Sequence, residues 1–519
     1  MSENDDRERG VRGLHRRSLL LGGAGLGAGL VTSAPMLEFA EAAPGTRVRK
    51  HFHGVFDDPK TPDWHYLPFT MPRGVWALEV RYDFQPIDTG IGFSENVVDI
   101  GIFDPSGRGL GNVDGFRGWS GGARRHFRIT RRWATPGYLA GRLTPGRWNV
   151  ILGPFLITSP GTPWRVTVTL EHGRQAEPAF RARHAPTSVP GTGPGWYRGD
   201  LHVHSEYSDG HWTPATIVES ARANGLDFVG TSEHNTNAAT RVFGDVVPDD
   251  FLVVSGEEVT TRNGHWLATG TTPGTWVDWR YRAADNQLGR FTDYARSRGG
   301  VAIAAHPYVP VSGTRWDFGA SYDHMDAVEV WNSSWTGLTK LFNQQAVNGW
   351  QALLAAGHFV PAVGNSDSHG SGAPIGLAQT VYRMSDLSTA SLVDAVRGGH
   401  CWVTESSSVD LGLTGTSTGA GAATGGIGDG VEVEDGAQLA VHLDVSGVPG
   451  TLAQLIGASG TVLAHQAAEN DGTIRLDATI DRSEQFVRAE VRRVSGTVDP
   501  TTYQSLQQMV ALTNPIFIL

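Results

Sequence analysis

Between residues 199 and 369 six histidines, one glutamate and two aspartates recur at the ends of short apolar runs, and this series limits the possible folds more than any other feature of the chain. The first cluster reads Gly199-Asp200-Leu201-His202-Val203-His204-Ser205, with Ser208-Asp209-Gly210 close behind. Two histidines two positions apart on an extended segment project from one face, about 6–7 Å apart along the chain. That spacing lets both imidazoles reach one cation at metal–nitrogen distances of about 2 Å. One such pair says little, but the pattern continues. Residues 226–233 lead into His234, residues 251–256 into Glu257 and Glu258 with His265 just beyond, and residues 301–305 into His306. Residues 327–331 lead into Asn332, and residues 359–364 into Asp367 and His369. Apolar runs of this length read as buried parallel strands. Polar residues gathered at strand carboxyl ends are how an α/β barrel assembles one site.

Helix signals fall between these runs. Thr213 and Pro214 form an N-cap and first-position pair, residues 215–224 are good helix formers, and Gly225 stops them. Residues 285–298, 338–356 and 388–397 predict three more helices, the last two closed by Gly357 and by Gly398-Gly399. The expectation is an α/β central domain over residues 197–408, a distorted (βα)7-type barrel in which about seven strands fit roughly two hundred residues.

The flanks read differently. Residues 43–180 alternate apolar and polar in runs such as 75–82 and 164–170, separated by Pro/Gly turns, and predict a β-sandwich-like domain. Residues 181–196, rich in Pro, Gly and Thr, form the linker. Residues 409–519 predict a second β-sandwich-like domain, with 415–430 as an exposed loop and 439–445 as a strand. Neither flank carries a catalytic motif.

His15-Arg16-Arg17-Ser18-Leu19-Leu20 begins a twin-arginine pattern, residues 19–31 are weakly apolar, and Ala40-Glu41-Ala42 supplies a small-x-small cleavage site. Residues 1–42 are therefore expected to be an export signal read by the twin-arginine translocase, which places the mature protein outside the cytoplasm, secreted or in the cell envelope. The apolar stretch is too short and too glycine-rich to span a bilayer comfortably, so no stable membrane insertion is expected. The single cysteine, Cys401, excludes an intramolecular disulfide despite that setting. A net charge of −11 disfavours a nucleic-acid partner, which would need basic stripes.

His202-Val203-His204 with Asp209, the isolated His234, Gly256-Glu257-Glu258-Val259, Ala305-His306-Pro307 and Asp367-Ser368-His369 together resemble the successive motifs of the PHP (polymerase and histidinol phosphatase) superfamily. With Ala395-Val396-Arg397-Gly398-Gly399-His400 near the end, the layout is most similar to its CehA/McbA-type metallohydrolases. The resemblance covers residues 197–408. It implies a distorted seven-stranded PHP barrel, two or three divalent ions (Zn²⁺, Mn²⁺ or Fe), and hydrolysis of phosphoesters or, in the namesakes, aryl carbamate esters.

Carried over residue by residue, the resemblance gives one metal His202, His204 and Asp367, with Glu258 bridging to a second that also takes His265 and His306. A third takes Asp209, His234 and His369. Glu258 is preferred to Glu257 because the family pattern is Gly-x-Glu. Two positions depart from that pattern. Glu233 precedes His234 where an aspartate is usual, which keeps a carboxylate there as an orienter of a ligand ring. Asp209 stands where many members carry histidine, and its harder oxygen weakens the third site or favours Mn²⁺.

Two close cations lower the pKa of a shared water, so a metal-bridging hydroxide is the expected nucleophile, with Glu258 holding the ion pair. His234 or His369, where not ligating, is placed to protonate the leaving oxygen. The chain has no Gly-x-Ser-x-Gly elbow and no Walker-type phosphate loop. The expected activity is hydrolysis of a small-molecule ester, a phosphoester before a carboxylester or carbamate. The alternative from another class is a non-catalytic envelope-binding protein on the same barrel. Trp212, Trp266, Trp276, Trp279, Trp331 and Trp335 crowd the metal-bearing segments, most of them for packing and two or three to line an entrance.

Overall fold

The computed structural model describes residues 31–57, 61–85, 96–157, 161–174, 178–311, 313–494 and 507–519. The arginine pair and most of the apolar stretch expected to form an export signal lie outside the described residues.

The central region is built on two sheets. One runs Leu252–Val254, Phe228–Gly230, Gly195–Asp200, Gln379–Met384, Cys401–Thr404; its first three strands are parallel and the next two antiparallel. The other runs Gly256–Thr261, Gly264–Thr269, Val301–Ala305, Ala327–Asn332, Ala362–Asn365, with two antiparallel joints followed by two parallel ones. Only Ser255 separates Leu252–Val254 from Gly256–Thr261, so the sheets meet there. At the other margin the Gly364 amide and carbonyl bond the Thr380 hydroxyl at 2.9 and 2.6 Å. Leu201, Phe228, Leu267, Ile303, Val363 and Tyr382 fill the space between the sheets.

This mixed arrangement departs from a uniform series of parallel βα units, and the reason is chain length. Only Arg262 and Asn263 link Gly256–Thr261 to Gly264–Thr269. A parallel connection needs a crossover of about a dozen residues, so a two-residue link imposes a hairpin. The helices fall where the punctuation put them: Pro214–Ala223, Leu288–Ser297, Thr339–Ala355 and Thr389–Gly398. Thr213 accepts the Thr216 amide at 3.1 Å and Ser388 the Ser391 amide at 3.2 Å, each satisfying an otherwise free helix-end donor. Leu288–Ser297 starts later than expected because residues 283–285 form a short 3₁₀ turn that ends at left-handed Asn286.

The N-terminal region packs two sheets face to face over a core of Leu67, Leu78, Val80, Ile100, Val150 and Val168. The C-terminal region is also layered, but the sheet of the central region continues into it: Met509–Thr513 pairs antiparallel with Cys401–Thr404. Residues 415–430 are not simply a loop, since Thr424–Gly426 pairs with Asp410–Ser417. Among the described residues no helix is long and apolar enough to cross a membrane.

The N-terminal sheets dock on the central region through aromatic and ionic contacts. Trp276 stacks on Phe116 with ring centres 4.2 Å apart, and Trp279 leans on Trp119 at 4.5 Å. Buried Arg280 pairs with Asp278 at 2.6 Å and donates to the Arg108 and Gly109 carbonyls at 3.0 and 3.2 Å. Removing the Trp276 ring leaves a cavity at this joint, so Trp276→Ala should destabilise the protein by about 3–5 kcal/mol. Chemical denaturation followed by tryptophan fluorescence checks this; an unchanged midpoint would mean that the joint contributes nothing to folding.

Candidate metal centre

All nine side chains singled out in the sequence gather in one place. Each of four overlapping groups puts one nitrogen or oxygen from every member within 4.8 Å of the others: His202, His204 and Asp367; His202, Glu258 and His306; His234, Glu258 and His265; and His204, Asp209, His234 and His369. The partition differs in detail from the expected one. Glu258 stands between His202 with His306 on one side and His234 with His265 on the other, and His204 joins the group around Asp209.

Distances show why Glu258 is central. Its Oε1 lies 2.8 Å from His265 Nδ1 and 3.1 Å from His306 Nε2. Its Oε2 lies 2.8 Å from His234 Nδ1, 3.4 Å from His202 Nε2 and 3.5 Å from His204 Nε2. Asp367 Oδ1 sits 3.3 Å from His202 Nε2 and 3.1 Å from His204 Nε2. Asp209 Oδ1 faces His369 Nε2 at 3.4 Å and His234 Nε2 at 3.6 Å.

The donor set fits cations. His202 Nε2, His204 Nε2, Glu258 Oε2 and Asp367 Oδ1 are all buried, face one another, and have no hydrogen-bond partner. Four converging buried polar atoms without partners are costly unless something positive sits among them. Mixed imidazole and carboxylate donors suit Zn²⁺, Mn²⁺ or Fe²⁺ better than the all-oxygen shells of Ca²⁺ and Mg²⁺. Two of these residues also hold unusual backbone: His306 has φ 30° and Asp367 φ 51°, a region that non-glycine residues enter at a cost.

Burial and neighbouring charge set the proton balance. Burial would raise Glu258 and Asp367, yet the surrounding histidines outweigh it and hold both well below the carboxylate range. Burial drives His204 down to about 3, aided by His369 and His234. His234 and His369 move up, to about 10 and about 9, because Glu258 and Asp209 respectively overcome the effect of burial.

Several supporting residues were not foreseen. Glu329 lies on Ala327–Asn332, fully buried, and accepts or shares hydrogen bonds from four directions. His202 Nδ1 is 2.9 Å from Oε1, the His306 amide donates to Oε2 at 2.9 Å, and Asn365 and Asn332 donate at 2.8 and 3.1 Å. A carboxylate opposite a ligand imidazole fixes its tautomer and tilt. A lone glutamate inside Ala-Val-Glu-Val-Trp was the available signal, because a charge in an apolar strand needs a partner. Asp200 ties two ligand-bearing loops together by accepting the Ser366 and Gly376 amides at 3.1 and 2.8 Å, and burial pushes its carboxyl up to about 6.

Glu233 acts differently from the ring orienter that was expected. It binds the Ser205 hydroxyl and takes the Ser208 hydroxyl at 2.5 Å, so it anchors the loop leading to Asp209. His400 is outside the cluster, 3.3 Å from Asp429. Glu257 points away from it and accepts the Val277 amide at 2.9 Å. Of the six tryptophans named from the sequence, only Trp279 lines the large cavity beside the cluster, together with Trp64 and Trp119 of the N-terminal region.

With this geometry in view, comparisons with known proteins can be stated. No family model matches the chain. An uncharacterized protein of Methanocaldococcus jannaschii is 24% identical over 156 residues, which is 26% of this chain and 82% of that protein. Among solved structures, a two-domain protein of Bacteroides vulgatus containing a predicted PHP-like metal-dependent phosphoesterase aligns with a TM-score of 0.33 at 16% identity, covering 65% of this chain and 100% of that one. An amidohydrolase from Chromobacterium violaceum with bound sulfate aligns with a TM-score of 0.27 at 18% identity, covering 34% of this chain and 89% of that one.

Two outcomes follow from the geometry. Glu329→Gln keeps size and most hydrogen bonds but removes the charge behind His202, so affinity for Mn²⁺ or Zn²⁺ should fall roughly 10–100-fold while circular dichroism stays unchanged. Affinity equal to that of the parent would deny Glu329 any part in holding the ligand ring. Histidines held above their usual pKa carry protons at pH 7 that a cation must displace, so loading should release protons and metal affinity should rise with pH towards about 9. Calorimetry in two buffers of different ionisation enthalpy measures the release; zero release at pH 7 would contradict it.

Proposed function

We propose that the chain is a metal-dependent hydrolase of the PHP type, with its catalytic barrel at residues 197–408, and that it cleaves phosphoesters. The observation that carries this is Glu258, one buried carboxylate with imidazole nitrogens of five histidines 2.8–3.5 Å from its two oxygens. With His202, His204, His234, His265 and His306 around it, Glu258 would hold cations on either side of its carboxylate. Cations held there supply a water of lowered pKa and draw negative charge off the ester oxygen.

The chain's own residues do the rest. Glu258 and Asp367 would supply the negative charge that holds cations at the cluster. Glu329 and Asp200 hold the ligand loops so that nothing has to reorganise when the ester arrives. Asp209, His234 and His369 form the outer face of the cluster, and the side chains of His369 and Asp209 are 38% and 44% exposed. Where no cation takes its Nε2, His369, facing Asp209 at 3.4 Å, can hold a proton there and pass it to the departing alcohol oxygen. A phosphoryl group, with its charged oxygens, suits a centre rich in cations and imidazoles better than a neutral carbonyl does. We further propose that the protein is exported through the twin-arginine translocase, on the pattern of residues 15–42.

Two substitutions and a substrate series test this. Glu258→Gln should release both flanking cations together and lower turnover by on the order of a hundredfold or more. Asp209→Asn should act more mildly, since that group lies at the outer edge. Metal content and turnover measured side by side, with circular dichroism as control, decide it; a folded Glu258→Gln protein with normal metal content would remove the bridging role. Comparing a bis-aryl phosphate, an aryl phosphate and an aryl acetate tests the reaction, and preference for the acetate over both phosphates would reassign the enzyme to carboxylesters.

A further inference from the structure

Beside the cluster lies a cavity of about 390 Å³. Asp209, His234 and His265 form its inner wall, so anything bound there abuts the ligand side chains. Most of the outer wall comes from the N-terminal domain: Trp64, Asp99, Trp119, the Gly121-Gly122-Ala123 turn and Phe155. None of these belongs to the segment that resembles a known family, and none carries a motif.

Arg262 reaches into the cavity from the two-residue link of the hairpin that bears Glu258 and His265. Its guanidinium sits over the rings of Phe155 and Trp64, with centres 4.6 and 5.0 Å away, which fixes its plane. The side chain is buried, and Nη2 has no hydrogen-bond partner. Asp99 Oδ2 is 3.8 Å from Nη2, close enough to share charge but beyond hydrogen-bonding distance. Burial pushes the Asp99 carboxyl up to about 6, as expected of a charge held away from water.

The chemistry of this wall selects among occupants. Guanidinium and carboxylate cancel, so a second phosphate gains no net attraction and meets Asp99 as a like charge. A plain hydrocarbon ring would take water from both ions and return no hydrogen bond. A hydroxyl group can accept from Arg262 and donate to Asp99, while the carbons that bear it lie against Trp64, Trp119 and Phe155.

We propose that this cavity is the substrate-recognition subsite, and that it takes a neutral polyhydroxylated group, a sugar or polyol, esterified at the bond that faces the metal cluster. Arg262 donates to its hydroxyls and Asp99 accepts from them. The inference rests on the phosphoesterase reading for where the ester bond lies and adds the identity of the alcohol half. It makes the N-terminal domain the part of the chain that chooses the substrate.

The test uses the full-length metal-loaded protein. Glucose, mannose and galactose 1-phosphates, myo-inositol 1-phosphate and glycerol 1-phosphate are compared with phenyl phosphate and ethyl phosphate. At least one polyol ester should show a KM roughly tenfold or more below both reference esters. Gly122→Leu should remove that preference by filling the cavity. Its Cβ would meet Val97 Cγ1 at 3.4 Å and Asp99 Oδ1 at 3.8 Å, ordinary van der Waals contacts, and circular dichroism checks that the fold is kept. Arg262→Gln should raise the polyol-ester KM several-fold more than the KM of phenyl phosphate or ethyl phosphate, because it removes the group that donates to the hydroxyls.

Binding is also read without turnover. Trp64 and Trp119 border the cavity, so methyl α-glucoside, methyl α-mannoside or myo-inositol should change tryptophan fluorescence saturably, and Gly122→Leu should abolish the change. Phosphoester turnover with no polyol preference and no fluorescence response would overturn the subsite. A saturable response that Gly122→Leu abolishes, with no phosphoester turnover, would uphold the subsite and overturn the assigned reaction instead.

Discussion

A fully buried carboxylate surrounded by imidazoles is the constraint on which the rest of this molecule turns. Glu258 is fully buried, and its Oε2 has no hydrogen-bond partner within the protein. Charge in that setting is tolerated only when the opposite charge is supplied and held in place. The surroundings follow from that need. Glu258 is carried on a hairpin strand, His265 comes back on the paired strand, and His306 follows from the neighbour of that strand. His202 and His204 enter from the other sheet just past Gly195–Asp200, and His234 just past Phe228–Gly230. Two sheets that meet at Ser255 therefore bring these side chains to one point.

Much of this was legible in the sequence because the signals were local. Thr213-Pro214 and Ser388 mark helix starts through groups within three residues of one another, and Gly225 and Gly399 mark ends through a left-handed backbone. The nine clustered side chains were legible for a different reason: their types and order carry chemistry whatever the exact strand geometry. The pairing direction of the strands was harder to read. Runs such as 301–305 and 327–331 look alike, yet the first has one parallel and one antiparallel neighbour and the second is parallel to both of its neighbours. Direction depends on connection length and tertiary closure, and a link as short as Arg262-Asn263 leaves only the antiparallel choice.

Contacts between residues far apart in the chain were the least legible. Glu329, Asp99 and Arg262 each carry a charge whose partner lies 127 or more positions away, as with Glu329 and His202 at a separation of 127. No periodicity announces such pairs. The tryptophans illustrate the point. Trp266 lies next to His265 in the sequence and is packed into the core, whereas Trp64 and Trp119, far from any ligand in the sequence, border the cavity. Nearness along the chain predicts chemistry only when the chemistry lies on the same element.

The left-handed backbone at His306 and Asp367 sets the interests of stability and activity against each other. Each residue is held there by its surroundings: the His306 amide by Glu329, and the loop before Asp367 by Asp200. Glycine adopts that conformation without the steric penalty that a β-carbon brings. At these two positions, then, the residue that would make the folded chain most comfortable is one with nothing to offer a cation. A lineage released from selection for activity would be expected to drift towards glycine there and become sturdier as it fell silent.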